Sequence, residues 1–269
     1  MGLVSYISTI KVMPILLSIS RLFFIGFCAL AMLMQTRMIL ELPLSPGLLD
    51  GYVLGGSIFG YHCTHPDWRY RSIAWGAGLA GAISFVCWAK SFTDVLIALI
   101  PMFFWLAYYG FRRPGNAGLR TRLLAKPLTV AFAWAWVTVF MPISIEAWYA
   151  ALPMFLARGA FVFALALAYD VSDIGYDRRY GLRTLALTME AKGIYWLIYL
   201  SLAISGLFVC LGWASGVYSL LSSLSLFISL FFSAWWIPLL LKNDAWKSCH
   251  KVFIDALMLI QCALVLLLR

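Results

Sequence analysis

The sequence predicts an all-α integral membrane protein, nine transmembrane helices in one domain spanning residues 1–269, with the N-terminus on the cytoplasmic side. Three observations carry this expectation. Mean hydropathy is +0.92, with 64% hydrophobic and only 12% charged residues, a balance far outside the soluble range. The apolar residues gather in windows of about 20, the length that crosses a bilayer as a helix, and no segment alternates as a β-barrel strand would. Finally, assigning the loops alternately to the two sides collects the basic residues on one of them.

The first window, 13–36, follows Lys11 and runs on without a small-residue cleavage site, so it reads as a span and not as a removed signal. Windows 46–63 and 73–90 contain Gly55-Gly56, Gly60 and GAGLAG (76–81), small residues that let two helices approach closely. Window 93–111 runs into Tyr108-Tyr109-Gly110-Phe111-Arg112-Arg113, where two stop-transfer arginines follow interfacial aromatics. Window 126–143 opens on Lys126-Pro127 and contains Trp134 and Trp136; packing and lipid anchoring account for such aromatics. Window 148–169 leads into a cluster of acids, and windows 194–212, 215–241 and 251–268 complete the count, with Trp235-Trp236 as an interfacial girdle. Arg21 and Arg158 fall inside spans, where a charge ordinarily faces a polar cavity or partner.

Alternating the loops places Lys11, Arg69, Arg71, Arg112, Arg113, Arg120, Arg122, Lys126, Arg178, Arg179, Arg183, Lys192, Lys242, Lys247 and Lys251 with the N-terminus. Only Arg37, Lys90 and Arg269 fall opposite. By the positive-inside rule the N-terminus is cytoplasmic, and the expected location is the cytoplasmic (inner) membrane of a bacterium, with the motif loops inside. The net charge of +9 then reports topology and anionic lipid, not a nucleic-acid partner. Six cysteines show no metal-type spacing and read as small buried hydrophobes.

The informative stretch follows window 148–169. Asp170, Asp173 and Asp177, three of only eleven acidic residues, are spaced i, i+3, i+7. On a continuing helix they share one face within about 60°. Three like charges near a low-dielectric boundary repel unless a cation offsets them. A divalent ion is one resolution, and oxygen-only ligands select a hard ion such as Mg²⁺, which bridges readily to phosphate. Arg178, Arg179 and Arg183 beyond the cluster add phosphate donors. The plainer account is a solvated loop carrying charges of both signs.

Asp173-x-x-x-Asp177 followed by Arg179-Tyr180-Gly181-Leu182-Arg183-Thr184 resembles the second aspartate motif of the UbiA superfamily, intramembrane prenyltransferases of nine helices. Tyr108 or Tyr109 with Arg112 or Arg113 is similar to that family's Tyr-x-x-x-[Lys/Arg], which faces a diphosphate. The first motif departs from the family. Where members carry Asn-Asp-x-x-Asp-x-x-x-Asp, this chain has Tyr61-His62-Cys63-Thr64-His65-Pro66-Asp67-Trp68-Arg69. His62 and His65 replace the first two aspartates, Arg69 replaces the third, and Asp67 is out of register. Imidazoles favour transition metals over Mg²⁺, and His62, His65 and His250 lie on one side in the loop assignment.

The resemblance implies Mg²⁺ held by Asp173 and Asp177 with Asp170, and a prenyl diphosphate bound by Tyr108, Tyr109, Arg112, Arg113 and Arg183. It implies transfer of the isoprenoid chain to a lipophilic or aromatic acceptor within the membrane. The degenerate first motif keeps a second class open, a UbiA-like protein without catalysis that binds lipid or pigment or serves as a subunit of a membrane complex. Transport of an anionic lipid is a third, against which no repeated pair of broken helices is visible.

Overall fold

Among the described residues, each of the nine apolar windows falls on a helix and no strand occurs. The computed structural model describes residues 23–64, 71–109, 118–119, 122–179, 183–243 and 249–269, with only the backbone of 62–64, 71 and 109. In chain order the helices are α1 (Phe23–Ile39), α2 (Leu48–Thr64), α3 (Arg71–Trp88), α4 (Phe92–Tyr109) and α5 (Ala125–Ala135). They continue with α6 (Trp148–Ser172), α7 (Ile174–Arg179), α8 (Leu185–Thr188), α9 (Ala191–Ala214), α10 (Leu220–Lys242) and α11 (His250–Leu268). Among the described residues, four segments are long and apolar enough to cross a membrane: Ile145–Ser172, α9, α10 and α11. Phe23–Ile39, Ser72–Trp88, Phe92–Tyr108 and Ala125–Phe140 are shorter apolar helices. Arg21, which the sequence placed inside a span, lies outside the described residues.

Windows 215–241 and 126–143 extend three or more residues past their helices, for local reasons. Helix α9 ends in a Schellman turn: Val217 N donates to Gly212 O at 2.8 Å, and Gly216 N donates to Trp213 O at 3.1 Å. Gly216 takes φ +78°, which L side chains rarely adopt, so residues 215–219 form the turn that the window 215–241 had absorbed. Ser219 then caps α10, its Oγ accepting from Ser222 N at 3.1 Å. Window 126–143 ends early because α5 widens into a π-helical turn, Trp136–Phe140, in which Met141 N reaches back to Trp136 O at 3.2 Å.

The chain divides into two compact units. The first comprises Met1–Leu30 with Pro46–Trp88. Lipid is as apolar as leucine, so helices associate within it through close packing and polar contacts rather than through hydrophobic expulsion. The pair α2–α3 follows that rule. A Cβ on Gly55 would meet Gly81 N and Cα at 2.8 Å, so the two backbones approach as closely as the small residues in the sequence suggested. Beside this seam, Phe59 meets Trp75 edge-on at 5.2 Å.

The second unit comprises Ala31–Ser45 with Ala89–Arg269, and α6 is its centre, packed by α5, α9, α10 and α11. Met154, Phe161, Leu165 and Leu167 of α6 are fully buried. Polar groups join the helices: Ser205 Oγ of α9 donates to Ala157 O at 2.8 Å, and Gln261 Nε2 of α11 donates to Ser229 Oγ at 3.0 Å. Trp136 stacks with Phe132, meets Phe140 and Trp148 edge-on, and donates from Nε1 to Ile97 O at 3.0 Å, so it packs as expected. Cys28 is buried as expected, whereas Cys87 and Cys210 are exposed on helices. A sulfhydryl is apolar enough to sit on a face that apolar side chains also cover.

Buried Arg158 has a specific set of partners. Nη1 donates to Met32 O at 2.8 Å and to Thr138 Oγ1 at 2.9 Å, and Nη2 donates to Gln35 Oε1 at 2.6 Å. The guanidinium therefore ties α1 and the π-helical turn to α6 through three neutral acceptors. Arg158→Met strands those acceptors and is expected to lower stability by about 1–3 kcal/mol. Gly216→Ala, which forces φ +78° on a residue with a Cβ, should cost about 1 kcal/mol. Thermal unfolding in detergent checks both, and an unshifted midpoint for Arg158→Met would remove its role as a tie.

Candidate functional site

The three aspartates lie where α6 ends. Asp170 is in its last turn, Asp173 is its C-cap and Asp177 is in α7. The ladder almost continues through the cap: Asp173 N donates to Tyr169 O at 3.0 Å, and Asp177 N to Asp173 O at 2.8 Å. Asp170 and Asp177 thus keep the shared face that their spacing predicts. Their side chains are 3% and 1% exposed and converge on one ammonium, with Lys126 Nζ 2.6 Å from Asp170 Oδ1 and 3.2 Å from Asp177 Oδ2. Asp173 diverges from the pair. It accepts from Lys251 Nζ at 2.7 Å in a more open setting, the side chains being 24% and 29% exposed.

Lys126 is the second residue of α5 and Lys251 the second of α11. Both helices start where α6 ends, so their lysines reach its aspartates directly. Both lysines, and Asp170 in the last turn of α6, oppose their own helices: ammonium groups near N-termini and a carboxylate near a C-terminus are disfavoured by the macrodipole by about 0.3–1 kcal/mol each, whereas Asp177 lies in the first turn of α7. Pairing across helices offsets that disadvantage, because charge-assisted hydrogen bonds are roughly twice as strong as neutral ones. Pro127 fits the first turn of α5, where its missing N–H costs no helical bond.

A second layer lies against Lys251. The Tyr169 hydroxyl donates to Asp255 Oδ2 and lies 3.2 Å from Lys251 O. Two buried oxygens at this end, Asp170 Oδ2 and Thr184 Oγ1, have no hydrogen-bond partner among the described residues. Tyr108, half-buried in the last turn of α4, is an electrostatic neighbour of Lys126, so one half of the predicted Tyr-x-x-x-Arg pair reaches the cluster.

Arg183 precedes the N-cap of α8 and is exposed, as are Arg178 and Arg179. Arg112, Arg113, His65, Asp67 and Arg69 lie outside the described residues, as do the side chains of Tyr109 and His62. His250, considered as a further metal ligand, is buried with Nε2 3.2 Å from Asn243 O. Sequence reasoning did not select Lys126, Lys251, Tyr169 or Asp255 as site residues. A signal for the lysines was present, since the loop assignment had put both on the side of the aspartates.

The donor set is oxygen only, the kind a hard cation takes. Yet Lys126 Nζ already stands between Asp170 and Asp177, and among the described residues no three His, Cys, Asp or Glu side chains form a metal-holding group. As arranged, these carboxylates fit ammonium groups and do not fit Mg²⁺. Two lysines pair with the carboxylates that the sequence offered to a divalent ion.

No protein-family model and no curated protein matches the sequence. Among solved structures the chain is similar to that of a digeranylgeranylglyceryl phosphate synthase in membranes. The TM-score is 0.60 and the identity 12%, over 92% of this chain and 95% of that chain. At that identity the likeness is one of fold alone.

Burial separates the two lysines energetically. Lys126→Met strands two buried carboxylates and is expected to lower stability by about 3–5 kcal/mol. Lys251→Met breaks a partly exposed pair and should cost about 1 kcal/mol or less. Thermal unfolding in detergent gives the order, and equal shifts would refute burial as its cause.

Proposed function

We propose that the chain is a UbiA-like prenyltransferase of the membrane, moving an isoprenoid chain from a prenyl diphosphate to a lipophilic or aromatic acceptor. The observation that carries this reading is a fold likeness to a membrane prenyltransferase over nearly the whole length of both chains, with an ionic cluster at one end of the helices. The reading takes all nine windows as spans, the N-terminus and the cluster as cytoplasmic, and the bacterial inner membrane as the location. The basic loops on that side support it.

In the reaction the bond from the prenyl C1 to the diphosphate oxygen breaks, and C1 bonds to the acceptor, which gives up a proton. Negative charge collects on the departing pyrophosphate. Stabilising it is an electrostatic task for preorganised donors. Arg112, Arg113 and Arg183 are proposed to take the diphosphate oxygens with Tyr108 and Tyr109, and the apolar helices to hold the chain and acceptor. Because the described carboxylates already hold lysines, no step is assigned to a metal.

A second reading is favoured by one specific observation. Asp170 and Asp177 are closed around Lys126, and the first motif carries no carboxylate in register, as in a UbiA-like protein that has kept the fold as a lipid or pigment binder or as a subunit of a membrane complex. Binding of farnesyl diphosphate and of farnesol to the purified chain separates the two. The first reading expects diphosphate-dependent binding, weakened about tenfold by Arg183→Ala, and pyrophosphate release when an aromatic acceptor is added. Equal binding of both ligands, with no release, would favour the second.

A further inference from the structure

We infer that Lys126 is a built-in cation occupying, in this chain, the place of a divalent ion between Asp170 and Asp177, so that the pair is held together without metal and admits one only when Lys126 is removed. The inference concerns the cation alone and stands whether or not a prenyl diphosphate binds.

Geometry is the first support. One ammonium bridges two carboxylates at 2.6 and 3.2 Å, as a shared cation would, and the third carboxylate is taken by Lys251 at 2.7 Å. Burial is the second. The Lys126 side chain is 12% exposed and its partners nearly inaccessible, so the ammonium is enclosed. Exclusion follows from Coulomb's law: a divalent ion and an ammonium repel strongly when both are held between the same two carboxylates. The two cations are therefore alternatives.

Placement is the third support. A lysine in the first turn of a helix opposes the macrodipole, and Lys126 occurs there with Pro127 fixing the backbone behind it. Nothing within α5 favours the charge; the two aspartates of α6 and α7 do. Lysine also suits the position, since a compact ammonium with three donors can bridge two carboxylates from one point. Asp170 Oδ2 retains no partner among the described residues, so one oxygen is open to a replacing ion.

Titration of the full-length chain in detergent with Mn²⁺, followed by electron paramagnetic resonance, tests this directly. The wild type is expected to take up no Mn²⁺ that Asp177→Asn abolishes. Lys126→Ala is expected to gain one site, at least about tenfold tighter than any in the wild type, and to lose it when Asp177→Asn is added. Wild-type uptake that disappears in Asp170→Asn or Asp177→Asn overturns the inference. If Lys126→Ala does not fold alone, the yield of monodisperse protein prepared with and without Mn²⁺ replaces the titration: rescue by Mn²⁺ is the expected result, and absence of rescue counts against exchange of one cation for the other.

Discussion

Lys126 binds together residues that would otherwise repel one another. Asp170 and Asp177 cannot both be ionised and buried side by side without a cation, and the ammonium between them supplies it at hydrogen-bonding distance. The register of α5 against α6 follows from this contact, because only an antiparallel pair brings the start of one helix to the end of the other. Lys251 repeats the device from α11, so the end of α6 is held from two sides by charges that their own helices disfavour.

The same economy appears deeper in the second unit. Arg158, Ser205 and Gln261 each join helices through neutral or charge-assisted hydrogen bonds, where hydrophobic expulsion has no force. In the first unit Gly55 lies close against Gly81. Close approach and polar contact are the two solutions available to helices in an apolar solvent, and the chain uses both.

The fold is similar to that of a digeranylgeranylglyceryl phosphate synthase in membranes, and at the end of α6 the carboxylates are paired with lysines. A shared backbone fixes where helix ends meet, but the side chains placed there decide whether carboxylates coordinate a metal or hold an ammonium. Fold likeness and site chemistry are separate properties, and the second has to be established from the site itself.

The helical character, the placing of the apolar windows on helices among the described residues and the gathering of acids at the end of α6 were legible in the sequence, because each depends on residues near one another along the chain. The common face of Asp170 and Asp177 was legible for the same reason, from a spacing of seven. The clustering of basic loops on one side even placed Lys126 and Lys251 with the acids. What only the tertiary structure decided is which cation meets which carboxylate. Lys126 and Asp177 are 51 residues apart, and their contact exists because α5 packs antiparallel to α6. Local pattern counts charges, whereas pairing energies depend on distances of about 3 Å, which only the packed helices set.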